Sequence, residues 1–248
     1  MQYYVAIWSL LLGLVIGSFL NVVIYRVPRR ESLARPGSHC PGCGVAIRWY
    51  DNIPVASWLL LGGHCRSCGT PIALRYPLVE GITGLAFLAA FWRMGPSATL
   101  LVAWAFIAVV VALAFINHDH MVIPNRIVFP ALVCGLAASI ALDHQHWWQY
   151  VAACMGAGLL ALLVSVVRPG ITRFSEVKMA LLLGAVLGPY VLVAVAAATI
   201  FVIVARMSLL FGEKYRLRAR TVFVPYLAAG AVMAMCFGQL AFQLYASV

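Results

Sequence analysis

Acidic side chains are scarce in this 248-residue chain: seven Asp and Glu stand against seventeen Lys and Arg, and only 10% of residues are charged. A soluble domain carries about 25% charged residues, so a water-soluble globular protein is excluded. The low hydrophobicity that keeps a chain disordered is missing too, since 64% of residues are hydrophobic and the mean hydropathy is +0.98. The first segment lacks a basic leader region and is long enough to span a bilayer, which argues against a cleavable signal peptide. No glycine-rich nucleotide loop stands out, because Gly62-Gly63 alone is too little to make one. The notable polar residues sit at the ends of apolar runs, and the two halves show no repeat symmetry, which argues against a transporter.

What is present is a series of apolar runs, at Tyr4–Ile24, Leu78–Phe91, Ala98–Ile116, Ile127–Leu142, Val151–Val167, Val177–Leu187, Val191–Ala205 and Val222–Leu244. Gly188-Pro189 separates the sixth from the seventh, since proline removes a helix donor and glycine permits a turn. The expectation is an all-α polytopic membrane protein with about eight transmembrane helices. With the N-terminus outside, sixteen of the seventeen basic residues fall on the inner side and Arg93 alone on the outer. The positive-inside rule fixes this orientation, and an odd error in span count would scramble it. The net charge of +10 is then orientation and lipid-headgroup contact, and nucleic acid is not expected.

Arg26–Tyr76 is the only sizeable polar segment, and on this topology it is cytoplasmic. It divides the chain into a first helix (1–25), a loop (26–76) and a seven-helix membrane region (77–248). Cys40, Cys43, Cys65 and Cys68 lie in the loop as two C-x-x-C knuckles, each followed by a glycine. The two-residue spacer bends both thiolates toward one ion, and four sulfurs suit a tetrahedral Zn²⁺ with no open coordination position. The expected role is therefore structural. A disulfide is disfavoured in a reducing cytoplasm. His39 and His64, each beside a knuckle cysteine, are spare ligands or surface residues. Cys134, Cys154 and Cys236 fall in spans, as small hydrophobes.

The seven acids can be taken one by one. Glu31 and Glu213 lie in basic loops, and Asp143 lies on an outer turn beside His144 and His146. Asp51 is in the cytoplasmic loop. Glu80 opens the second span, as a functional acid at membrane depth or as the partner of Arg75. Asp119 follows the third span and Glu176 opens the sixth, both at the cytoplasmic edge. Two carboxylates there can share a proton, one as base on water and the other as acid. The structural alternative makes Glu176 a helix N-terminal acid capped by Ser175, with Asp119 paired to a flanking histidine or Arg126.

These residues together resemble the type IV prepilin peptidases, membrane enzymes of pilus and type II secretion systems. The resemblance rests on Gly17-Ser18-Phe19-Leu20-Asn21 through Tyr25-Arg26-Val27-Pro28, both cysteine knuckles, Asp51-Asn52-Ile53-Pro54-Val55, Arg75-Tyr76-Pro77-Leu78-Val79-Glu80 and Ile123-Pro124. It implies a protein of the bacterial inner membrane that cleaves the leader of prepilins or pseudopilins with a pair of aspartates. It also implies methylation of the new N-terminus from S-adenosylmethionine, associated with the cysteine loop, where Asp51, Asn52, Arg75 and Glu80 are the residues of interest. This sequence departs from the family at the acids. Positions that read Ile-Asp and Pro-Asp in the family are Ile116-Asn117 and Pro124-Asn125 here, and Gly-x-Gly-Asp becomes Arg173-Phe174-Ser175-Glu176. An amide cannot act as a general base, so the candidate pair becomes Asp119 with Glu176, and Asp119 would need a non-helical turn to take the place of Asn117. Two functions follow as expectations: processing of prepilin N-termini by the rewired pair, or a peptidase-inactive homologue that methylates or only binds them.

Overall fold

The computed structural model of the chain describes residues 2–167, 174–210 and 223–246. Arg168, Arg173, Glu213, Val222 and the basic residues from Lys214 to Arg220 lie outside the described residues. Among those described there is no strand, only two isolated β-bridges inside the polar loop. Eight long helices fall on the eight apolar runs: α1 (Gln2–Arg29), α3 (Arg75–Met94), α4 (Ala98–His120), α5 (Asn125–Leu142), α6 (Trp147–Val167), α7 (Phe174–Leu187), α8 (Val191–Leu210) and α9 (Val224–Ala246). A five-residue α2 (Ala56–Leu60) belongs to the loop. By length and composition, five apolar stretches are sufficient to cross a membrane; in that count α7, a short turn and α8 run together from Phe174 to Met207. The turn at Gly188–Tyr190 is where the proline and glycine were expected to break the helix.

Contacts divide the chain into two units, Met1–Leu100 and Leu101–Val248. The first is a clasp of α1 on α3, with the loop between them. The clasp is tight because α1 presents glycine at Gly13 and Gly17, four residues apart and on one face. A Cβ built at Gly17 would stand 2.6 Å from Glu80 Cα, and one at Gly13 would stand 2.8 Å from Gly84 Cα. Backbone therefore meets backbone along this seam. In the second unit α6 pairs with α7 and α8 with α9, again over glycines, Gly184 against Ala153 O and Gly230 against Ala194 O. Its core gathers Phe106, Val110 and Leu113 of α4 with Val128, Met179, Leu183 and Leu227.

Elsewhere α1 and α3 turn outward residues that a soluble protein would hide, such as Trp8 at 70% and Leu85 at 63% exposed. Lipid is the solvent that suits them. Replacing Gly17 by Leu will force the clasp apart and lower stability by about 1–3 kcal/mol or more, read as a drop in thermal midpoint in detergent. Gly81→Ala, whose new methyl meets nothing within 4 Å, will instead be neutral or gain up to about 1 kcal/mol.

Candidate functional site

The polar loop is built on a duplicated turn. The pattern Gly-x-His-Cys-x-x-Cys-Gly occupies 37–44 and again 62–69, offset by 25 residues. Each copy makes the same bonds. Gly44 N donates to Cys40 O at 2.8 Å and Gly69 N to Cys65 O at 2.9 Å, while Cys40 N and Cys65 N each donate across the turn at 2.9 Å to Val45 O and Thr70 O. Gly44 and Gly69 sit at φ +71° and +69°, where a side chain is disfavoured. His39 and His64 each turn Nδ1 to the carbonyl two residues earlier, at 3.0 and 2.7 Å. They behave as turn residues.

The two turns face one another so that the four sulfurs all lie within 4.8 Å, and Cys40 Sγ is 3.8 Å from Cys68 Sγ. The edge of a tetrahedron with metal–sulfur bonds near 2.3 Å is about 3.8 Å. The donor set fits a metal such as zinc. The Thr70 hydroxyl and N–H pull the Cys68 thiol down to about 6. The Val45 N–H pulls Cys43 the same way, yet its sulfur neighbours push it up to about 11. Four sulfurs this close cannot all ionise unless a cation compensates them.

Three side chains attach this loop to the clasp. Arg26, only 8% exposed, donates to Ser32 O at 2.9 Å and Pro36 O at 2.7 Å, with longer contacts to Leu33 O and Gly37 O. Glu80 is buried as well, and its Oε2 accepts the Val55 N–H at 2.7 Å. That contact ties α3 to the loop. Asn21 donates from Nδ2 to Tyr76 O at 3.1 Å. Farther out, Asp51 takes a two-pronged pair from Arg66, Nη2 to Oδ1 at 2.8 Å and Nε to Oδ2 at 3.0 Å. Asn52 lies beside it without joining the pair, and the Arg75 guanidinium stands over the Tyr76 ring. Of the four, Asp51 is held by Arg66, Glu80 by the Val55 N–H, and Arg75 lies over Tyr76. Arg26 lies in a family-like motif and Arg66 inside the second knuckle, but neither position shows in the sequence which partner its guanidinium holds.

In the second unit α4 stays helical through His120 and stops at Met121, whose φ is +58° and whose N–H bonds Asn117 O at 2.9 Å. The turn that would carry Asp119 onto the side of Asn117 does not form. Two residues apart on a helix is about 200°, so Asn117 is buried at 3% exposure while Asp119 has 23% of its side chain open, with His118 Nδ1 at 3.2 Å. Glu176 is buried at 6% in the first turn of α7. Ser175 lies inside that turn and so is not the cap expected for it. Lys178 reaches from α7 to Asn125 Oδ1 at 2.7 Å and to Ile123 O at 3.5 Å. The turn that bears Glu176 is thus fastened to the connector that follows Asp119.

The Arg66 guanidinium holds the Asp51 carboxyl below the usual carboxylate range. A carboxyl whose folded value lies under its unfolded value of about 3.9 adds stability above that pH and loses it as the pH falls through the folded value. Protection factors at residues 49–57, with the intrinsic pH dependence of exchange divided out, will therefore be steady from neutral pH to about 5 and fall below about 4. Asp51→Asn will weaken protection at neutral pH and remove the acid step.

Known proteins resemble this chain in both halves of its sequence. Residues 11–94 match the bacterial peptidase A24 N-terminal domain and residues 104–209 the type IV leader peptidase family. A prepilin leader peptidase/N-methyltransferase of Myxococcus xanthus is 47% identical over 154 residues, covering 62% of this chain but only 45% of that protein. Proteins of the same name from Burkholderia pseudomallei and Bacillus subtilis are 32% and 31% identical, over 93% and 94% of this chain and 85% and 94% of their own lengths. No solved structure matches. With both halves matched and relatives aligned over nearly the whole chain, the chain belongs to the type IV leader peptidase family.

Proposed function

We propose that this chain processes the N-termini of prepilin-like proteins at the cytoplasmic face of a bacterial inner membrane, with eight spans, its N-terminus outside and the cysteine loop inside. Leader cleavage would fall to Asp119 and Glu176. The observation that carries this is the Lys178–Asn125 contact, which ties the turn of buried Glu176 to the α4–α5 connector. Asp119, the more open to water of the two, would take a proton from the attacking water, and Glu176 would protonate the departing amine.

A second reading is favoured by the unbroken end of α4. It leaves Asn117 pointing into the helix packing and Asp119 pointing away, and an amide exchanges no proton. Under this reading the chain methylates, or only holds, N-termini cleaved elsewhere. S-adenosylmethionine is the methyl donor wherever methylation occurs. Asp51 and Glu80 are occupied in holding the loop to Arg66 and Val55, so their part in methyl transfer is positioning, as is that of Arg75. Asn52 is the member of that set with an exposed surface.

The metal in the loop is a structural zinc, because four thiolates leave no position for substrate or water. It would be held by Cys40, Cys43, Cys65 and Cys68, with Thr70 supporting Cys68. Its contribution is to lock the two turns together.

Mass spectrometry of a prepilin incubated with the purified protein and S-adenosylmethionine tests the first reading. The expected result is loss of the leader, falling by about 10²-fold or more in Asp119→Asn and in Glu176→Gln. A leader that stays on while a pre-cleaved pilin gains one methyl group would establish the second reading instead. For the metal, elemental analysis will find one zinc per chain. Cys65→Ser will lose it and open the loop to proteolysis between residues 26 and 76 while the helices persist.

A further inference from the structure

A cavity of about 380 Å³ lies beside α1 in the first unit. One wall is a single stripe of α1, made by Val15, Ser18, Phe19 and Val22 and ending at Arg26. The opposite wall is loop, with Leu33, Ala34, Pro36 and Ser38, and Asn52 and Pro54 close the side. From Val15 to Arg26 the helix rises roughly 16 Å. The cavity thus begins where α1 is apolar and open, at Val15 (57% exposed) and Phe19 (51%), and finishes among the hydroxyls and amides of the loop. Its volume is within the roughly 300–1,000 Å³ of ligand sites.

Both walls are held firmly from behind. Arg26 gives its donors to loop carbonyls, and Glu80 anchors Val55 beside Pro54. The cavity is therefore preformed, and nearly neutral. Among the described residues no carboxylate lines it, the Ser18 hydroxyl is taken up by Glu80 behind it, and the Arg26 cation is already engaged. A methyl donor bearing a sulfonium, an ammonium and a carboxylate would find no charged group on its walls free to pair with it. An apolar helix with a free end finds what it needs: an apolar stripe for its side chains, then Ser38 and Asn52 for the unpaired N–H groups of its first turn. A neutral lining also favours a free amine over an ammonium at that end.

We propose that this cavity is the acceptor subsite, which receives the first residues of a processed pilin-like helix laid along Val15, Phe19 and Val22 with its N-terminus against the loop. The identity of the occupant rests on the N-terminal processing proposed above. The test uses the full chain in proteoliposomes, with a photo-cross-linking residue at Phe19, at Ala34 or, as a control, at Leu85 on the exposed face of α3. The probe is a pre-cleaved pilin-like membrane peptide. Cross-linking is expected from positions 19 and 34 at least about tenfold above 85, and Ala34→Trp, which fills the cavity, is expected to suppress it from 19. The same variant will raise the KM for the peptide about tenfold and leave that for S-adenosylmethionine unchanged. Retained metal content confirms that this variant folds, and Ser38→Leu serves as a second filling variant.

Equal labelling from all three positions, labelling of lipid alone, or a rise in the KM of the methyl donor instead would overturn the assignment. Methylation that proceeds without cross-linking defeats the subsite alone. Cross-linking without methylation or cleavage supports the subsite and defeats the catalytic reading.

Discussion

Where Gly17 meets Glu80, two helices come together with no side chain between them. That contact sets the spacing of α1 and α3, and with it the distance the loop must bridge. A bulkier residue at 17 would move the Glu80 carboxylate away from the Val55 N–H it accepts. Both buried charges of this unit, Arg26 and Glu80, are satisfied largely by backbone groups of the loop. Burial of a charge is tolerable only with such partners, so helix packing and loop conformation stand or fall together. The metal-ligating turns lie farther out and inherit their position from this base.

Much of the fold was legible because each signal was local. Apolar runs dictated the helices, Gly188-Pro189 the break between α7 and α8, and the C-x-x-C spacing the sulfur cluster. What escaped depends on pairings between distant positions. Asp51 finds Arg66 across fifteen residues, and Arg26 folds the following segment around its guanidinium; neither announces itself by type or spacing. The Gly13–Gly17 pair was visible in the sequence, but its meaning waits on knowing that α3 is opposite. At the acids the sequence raised the right question. Whether Asp119 could stand in for Asn117 depended on where α4 ends, and helix ends are the least legible feature of a sequence.

The two units differ in how their polar residues are employed. In the first, the polar residues of the family-like motifs hold structure in place, since Asn21 bonds Tyr76, Arg26 gathers the loop and Glu80 anchors Val55. In the second, the described core of α4, α7 and α9 is apolar and depends on shape and not on protons.

The bond from Lys178 to Asn125 has one further consequence. With aspartate at position 125 this latch would be an ion pair, and acid would neutralise its acceptor and let the connector go. An amide oxygen has no proton to gain in that range. The α4–α5 connector of this chain is accordingly fastened to α7 by a contact indifferent to acidification, and acid sensitivity in this unit is confined to its carboxylates and histidines.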